Sequence, residues 1–205
     1  MVEPAIPAPL FSRARRAIAR LGNERLRESY FTTFWLPRDA QPVHALEEAV
    51  RALEPLAQAG PCAGFEWWIG RSYTNAVPIG FHFDQDVKAA RKLRHPLVSS
   101  VLFFNRVRGG QLAITDQRPG PRGEPQPAQP GQLQAIAPRA NRYAIFPGDL
   151  FHGVLDARGQ TPGPRRLPGP SGRLRVTLVV NYWAARPTGV PTFAESRAYR
   201  ALRKR

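Results

Sequence analysis

Apolar side chains recur at helical spacing near the start of the chain. Leu10, Phe11, Ala14, Ile18 and Leu21 form one stripe, and Arg13, Arg15, Arg16 and Arg20 lie largely outside it. This pattern predicts an amphipathic helix over 10–21. The aromatic and β-branched run "SYFTTFWLP", stopped by Pro37, reads as a strand. Val43, Leu46, Val50 and Leu53 then predict a second helix over about 43–54, which Pro55 disturbs. From Gly64 onward the period shortens. "FEWWIGRSYT", "IGFHFD", "LVSSVLFFN", "QLAIT", "RYAIFP", "LFHGVLDA" and "RLRVTLVVNYW" follow one another between turn signals such as Gly109-Gly110. A succession of short strands is the signature of an all-β sandwich or barrel.

The expected architecture is therefore mainly β with flanking helices. A helical extension covers 1–60, a β core 61–190, and a C-terminal helix 191–205, where Thr192 and Glu195 stand at capping-box spacing. Two segments, 116–140 and 157–172, are crowded with Pro, Gly and Gln. Loops of that length are functional lids or disordered insertions, and the composition favours disorder.

At 205 residues, 42% of them hydrophobic, the chain suffices for one domain with a substantial core. No apolar run reaches the roughly 20 residues a membrane helix needs; the longest is interrupted by Asn181. No membrane partner is expected. Cys62 is the only cysteine, which excludes an intramolecular disulfide and a cysteine-based zinc site and suits a reducing cytoplasm. The amino terminus lacks a secretory core but is Arg-rich and amphipathic, so organellar targeting stays open beside a cytoplasmic location. The net charge of +15 invites a nucleic-acid reading. Against it, Lys88, Lys92 and Lys204 are the only lysines among 30 basic residues, as expected of GC-rich coding, and many arginines fall in loops and tails.

Candidate chemistry begins in "VPIGFHFDQD". On an extended segment, residues two apart share a face, so Gly80, His82 and Asp84 lie on one side and Ile79, Phe81 and Phe83 on the other. An imidazole and a carboxylate side by side make two thirds of a two-His-one-carboxylate triad, which binds a transition metal and leaves positions open. The alternative is a buried His hydrogen-bonded to its neighbour. His152, in "FPGDLFHGV", supplies a third ligand from a distant strand; His44 and His95 are poorer candidates, at a helix start and before Pro96. In "GRLRVTLVVNYW" the alternation sets Arg173, Arg175, Thr177, Val179 and Asn181 on one face. A buried Arg175 beside Thr177 would grip a carboxylate by a bidentate fork and a hydroxyl. An edge-strand salt bridge is the bland alternative.

Taken together, "FHFDQD", "GGQLAIT", "FPGDLFHGV" and "RLRVTLVVNYW" resemble the Fe(II)- and 2-oxoglutarate-dependent oxygenases over about residues 64–185, with the prolyl-hydroxylase-like branch nearest in pattern. The resemblance implies a double-stranded β-helix, a jelly-roll or cupin-like core, with His82, Asp84 and His152 as iron ligands. It implies Arg175, with Thr177, for the distal carboxylate of 2-oxoglutarate, Tyr73 as a further cosubstrate contact, and Arg173 as a fallback. The implied reaction uses O2 and 2-oxoglutarate, releases succinate and CO2, and hydroxylates a small molecule or a protein or peptide. Two other classes compete. One is a cupin-like sensing domain that keeps metal without turnover. The other is an oxidative nucleic-acid demethylase, whose longer R-x-N-x-T-x-R strand motif fails here after Arg175-Val176-Thr177.

Overall fold

A computed structural model describes residues 1–89, 93–162 and 173–203. Two α-helices, α1 (Ala8–Arg20) and α2 (Ala45–Ala57), flank the first strand, β1 (Phe34–Pro37). The strands β2 (Gly64–Tyr73), β3 (Val98–Phe103), β4 (Leu112–Thr115), β5 (Arg118–Pro119), β6 (Pro125–Gln126), β7 (Leu133–Ile136), β8 (Arg142–Pro147), β9 (His152–Val154) and β10 (Leu174–Trp183) follow. Five of them form one antiparallel sheet in the order β1-β2-β10-β3-β8. A smaller sheet, β7-β4-β9, faces it, and β5 pairs with β6. No helix among the described residues is long and apolar enough to cross a membrane.

Strand alternation divides the large sheet into two faces. On the outer face Phe65, Trp67 and Ile69 of β2 and Leu178, Val180 and Tyr182 of β10 pack under Phe11 and Ile18 of α1 and Leu46, Val50 and Leu53 of α2. Each such fully buried side chain contributes about 1.5–3 kcal/mol relative to exposure, which is why both helical stripes form; Val43, expected in the second, lies ahead of the helix and is exposed. On the inner face Trp68, Val101, Phe103, Phe146 and Val179 meet Leu112, Ile114 and Ile136 of the small sheet.

His44 opens α2 in place of the usual Ser or Thr: its Nδ1 accepts the Glu47 N–H at 3.2 Å, and Glu47 Oε2 accepts the Val43 N–H at 2.9 Å. The helix runs past Pro55 to Ala57, because a proline in the last turn disrupts little that follows, and stops at Gln58 in the left-handed region (φ 49°).

Several expectations are corrected. "SYFTTFWLP" is a strand only from Phe34; residues Leu26–Phe31 form a 3₁₀ helix. Ser29 Oγ donates to the Arg71 carbonyl at 3.0 Å and accepts the Arg71 N–H at 3.1 Å, while Thr32 Oγ1 donates to the Glu28 carbonyl at 3.0 Å. Such side-chain bonds to the backbone compete with a ladder. "IGFHFD" is extended but forms only a single bridge, His82 to His152. Segment 116–140 is built rather than disordered: it carries the β5–β6 hairpin and β7, which covers an edge of β4 in the register Leu112↔Ile136 to Thr115↔Leu133. Gln117 Nε2 ties it to the Pro127 carbonyl at 2.6 Å. Of segment 157–172, positions 163–172 lie outside the described residues.

At the C-terminus the capping box forms, with the Thr192 N–H on Glu195 Oε2 at 2.7 Å and the Glu195 N–H on Thr192 Oγ1 at 3.3 Å. No α-helix follows among the described residues; Tyr199 turns left-handed (φ 55°) and only a 3₁₀ turn, Arg200–Leu202, remains. Burial decides this. Phe193, Ala198, Tyr199 and Leu202 are all drawn into the outer core, a spacing no regular helix face provides.

Candidate metal centre and anion site

The metal-ligand candidates meet because two distant segments pair directly. The His82 N–H donates to the His152 carbonyl at 2.8 Å, and the His152 N–H donates to the His82 carbonyl at 3.0 Å. Residues paired in this way across antiparallel strands carry their side chains on one face, and the two imidazole centroids lie 4.7 Å apart. Gly153 allows the approach: a Cβ there would stand 2.6 Å from the Phe81 ring.

Each ring is oriented in the same way. His82 Nδ1 lies 2.9 Å from the Gly80 carbonyl and His152 Nδ1 2.9 Å from the Leu150 carbonyl, so Nδ1–H donates and the Nε2 lone pair is left free. Both Nε2 atoms face Asp84, at 3.6 Å from Oδ1 for His82 and 3.5 Å from Oδ2 for His152. One ligand atom from each of the three residues lies within 4.8 Å of the other two. Ser99 Oγ, on the inner face of β3, donates to Asp84 Oδ2 at 2.7 Å and fixes the carboxylate.

Burial works against the Asp84 charge, but the His152 and His82 imidazoles and the Ser99 hydroxyl hold its carboxyl well below the usual range. Burial lowers the His152 pKa despite Asp84, which favours the neutral imidazole. At His82, burial is outweighed by Asp84, and the pKa rises. Asp84 and His152 are buried, whereas the His82 side chain is 39% exposed, so the cluster is closed on one side and open on the other. An anionic carboxylate and two imidazoles with tied Nδ1 atoms suit a divalent transition metal with free coordination positions.

His95, set aside as a ligand, acts on the backbone, its Nδ1 2.7 Å from the Asp84 carbonyl. His44 is held between Trp67 and Phe193, and burial lowers it to about 4.

Farther along the inner face of β10, Arg175 is 2% exposed. β10 is a central strand, and no carboxylate pairs with this arginine among the described residues; the edge-strand salt bridge is therefore not what forms. Its Nε donates to the Gly110 carbonyl at 2.9 Å, and its Nη1 to Tyr30 Oη at 3.1 Å and Thr177 Oγ1 at 3.4 Å, with the Phe103 ring 5.1 Å away. A buried guanidinium with only neutral partners is costly, and a planar anion offsets that cost. Two inner-face groups between Arg175 and the triad, Trp68 Nε1 and Asn181 Oδ1, are buried without a hydrogen-bond partner.

The other expected contacts separate here. Thr177 stands beside Arg175, but Tyr73 ends β2 opposite Leu174 and is 40% exposed, and Arg173 is exposed ahead of β10. The tyrosine at the guanidinium is Tyr30, from the 3₁₀ helix, which the sequence pattern did not single out. Gly70 makes room for it: a Cβ there would be 2.5 Å from Thr177 Oγ1 and 3.1 Å from the Tyr30 ring.

No protein-family model and no curated protein matches the chain. Solved structures do. Apo HygX from Streptomyces hygroscopicus is 11% identical, with 94% of this chain and 81% of that one covered and a TM-score of 0.53. HygX with nickel and 2-oxoglutarate bound gives 12%, 94%, 82% and 0.51. SnoN, the non-heme alpha ketoglutarate dependent epimerase from nogalamycin biosynthesis, gives 14%, 92%, 81% and 0.51. A Pseudomonas putida prolyl-4-hydroxylase is 21% identical over 88% of this chain and 84% of its own, at a TM-score of 0.44. With two facing antiparallel sheets and flanking helices, the chain has the double-stranded β-helix fold of the 2-oxoglutarate-dependent oxygenases.

Proposed function

We propose that the protein is an Fe(II)- and 2-oxoglutarate-dependent dioxygenase that hydroxylates a small molecule or a peptide. The observation that carries this reading is the pairing, on one inner face, of a His-Asp-His cluster with a buried arginine that has no acidic partner among the described residues. HygX has been captured with nickel and 2-oxoglutarate, which agrees with the donor set.

In this reading His82, Asp84 and His152 hold the iron, with the Nε2 atoms and the carboxylate as donors. Iron bound there supplies the oxidation that turns 2-oxoglutarate and O2 into succinate and CO2 and hydroxylates a C–H bond. The protein's own part is binding and exclusion. Arg175, Thr177 and Tyr30 grip the distal carboxylate of the cosubstrate, the first by charge and the others by hydroxyl hydrogen bonds. Ser99 and the Gly80 and Leu150 carbonyls fix the ligand atoms before metal arrives. Phe146, whose ring centroid lies 4.9 Å from that of His152, sets an apolar wall against the buried side of the cluster.

The test is anaerobic titration of Fe(II) and 2-oxoglutarate, then succinate measured on admitting O2. The parent protein is expected to bind both and form succinate. Arg175→Ala should weaken 2-oxoglutarate by about 30-fold or more, since a buried charge partner is lost, with metal affinity kept. Metal and cosubstrate binding without any succinate would mean a sensing domain instead, and undiminished cosubstrate affinity in the variant would remove Arg175 from the site.

A further inference from the structure

Behind Tyr30 the protein has a cavity of about 750 Å³ whose other lining residues have no part in the reading above. Tyr30, which bonds Arg175, and Glu66, which feels the Asp84 charge, both line it, so the cavity is linked to the anion site and to the metal cluster through its walls. Its inner wall carries Glu66, from the inner face of β2. That residue stands in register with Asn181, whose other neighbour is Ser99, the Asp84 partner. Two apolar side chains, Phe31 (74% exposed) and Val87 (72% exposed), stand at its rim. They give the mouth of this concave site an apolar share of the kind ligand sites carry.

The charges in this cavity are sorted. Asp86 is consumed by the fold, bonded by Arg94 and by the Thr188 N–H and hydroxyl at 3.0 Å each. Glu66 has no cation among the described residues; its donors are neutral, the Trp183 Nε1–H on Oε2 at 3.0 Å and the Thr33 hydroxyl. Burial, followed by the nearby Asp84 charge, pushes its carboxyl up to about 7 in spite of bonds from Thr33 and Trp183. Lys88, Arg197 and Arg200, by contrast, stand exposed on the outer wall without an ion pair among the described residues. The inner wall therefore has an unmatched carboxyl group and the outer wall three unmatched cations.

We infer that this cavity receives the substrate to be oxidised, and that the substrate is zwitterionic, its protonated nitrogen taken by Glu66 and its carboxylate or other anionic end by Arg197, Arg200 and Lys88. The inference rests on the oxygenase reading for what happens next, but not for binding. Glu66 is a specificity-determining residue in this assignment. A cation beside it gains a charge-assisted hydrogen bond and relieves the cost of its burial, while the outer cations discriminate against a simple amine. Burial of the substrate between Phe31 and Val87 adds the apolar share of the affinity.

Binding can be read without turnover, because the Trp183 indole N–H reports directly on the Glu66 carboxyl. Metal-free protein is titrated with 6-aminohexanoate, hexylamine and hexanoate, following the Trp183 indole resonance by ¹⁵N NMR. The zwitterion is expected to bind tightest of the three and to shift that resonance. Glu66→Gln keeps the acceptor for Trp183 and should weaken 6-aminohexanoate about 10- to 100-fold; a double Arg197→Ala, Arg200→Ala variant should bring 6-aminohexanoate toward the affinity of hexylamine. Hexanoate binding as well as the zwitterion, or unchanged affinity in Glu66→Gln, overturns the inference. So does binding lost in Arg175→Ala but not in Glu66→Gln, which would put the probe in the anion site. Failure of iron or 2-oxoglutarate to bind would strike the oxygenase reading and leave these titrations standing.

Discussion

The two faces of β2 and β10 are made by the same residues in alternation, yet they do different work. Outward, Phe65, Trp67, Ile69, Leu178, Val180 and Tyr182 are all fully buried and almost wholly apolar. Inward, the neighbours of those residues are Glu66, Trp68, Gly70, Ser72, Arg175, Thr177, Val179 and Asn181. The outer face excludes water against two helices and holds the sheet together. The inner face keeps a cation and a carboxyl group at a cost to stability. Groups of that kind collect where a fold serves binding instead of packing, and the outer face supplies the stabilisation that makes them tolerable.

Substitutions at the two ends of this contrast should therefore separate affinity from stability. The largest effect is expected at the cluster: His82→Ala, Asp84→Ala and His152→Ala should each abolish stoichiometric Fe(II) binding, measured by anaerobic calorimetry, with the denaturant midpoint close to that of the parent. Parental affinity in any of the three would break the ligand assignment. On the outer face, Trp67→Ala should cost about 3–5 kcal/mol of stability in denaturant titration, as a large buried aromatic does, with the metal affinity of the folded protein unchanged. A Trp67 variant that lost metal while staying folded would show that the faces are coupled. Ser99→Ala stands between them. It removes the hydroxyl that fixes Asp84 and should weaken metal about 10- to 100-fold, the usual effect of losing a group that orients a ligand; an unchanged affinity would show that Asp84 is held by the imidazoles alone.

Much of this could be read from local pattern. The stripes Phe11, Ala14, Ile18 and Leu46, Val50, Leu53 gave α1 and α2, because helix burial is periodic. His82 and Asp84 were found by two-residue alternation, which holds for any extended backbone even though "IGFHFD" makes one bridge and no ladder. What could not be read depends on who packs against whom. β7 exists because β4 has an open edge, although three of its four residues are exposed. Tyr199 leaves the helical pattern for the outer core, where it meets Phe34 with centroids 5.7 Å apart. The family resemblance points to Tyr73, in sequence near His82, as a cosubstrate contact. The fold instead brings Tyr30 from 145 positions away to Arg175, and the only local sign is a glycine at position 70.

That substitution of one tyrosine for another gives the smallest and sharpest test of the inner face. Tyr30 Oη accepts from Arg175 Nη1 at 3.1 Å and lies 3.3 Å from Ser72 Oγ. Its hydroxyl can therefore turn toward a bound carboxylate without giving up the arginine. Tyr30→Phe keeps the ring that packs on Gly70 and removes only this group, so 2-oxoglutarate should bind about 5- to 10-fold more weakly, the scale of one hydrogen bond to a charged group, with Fe(II) affinity unchanged. Tyr73→Phe, on the exposed end of β2, should leave both affinities as they are. The reverse result would mean that the loop after β2 folds over the cosubstrate when it binds, and that the anion site is completed by the strand end instead of the 3₁₀ helix.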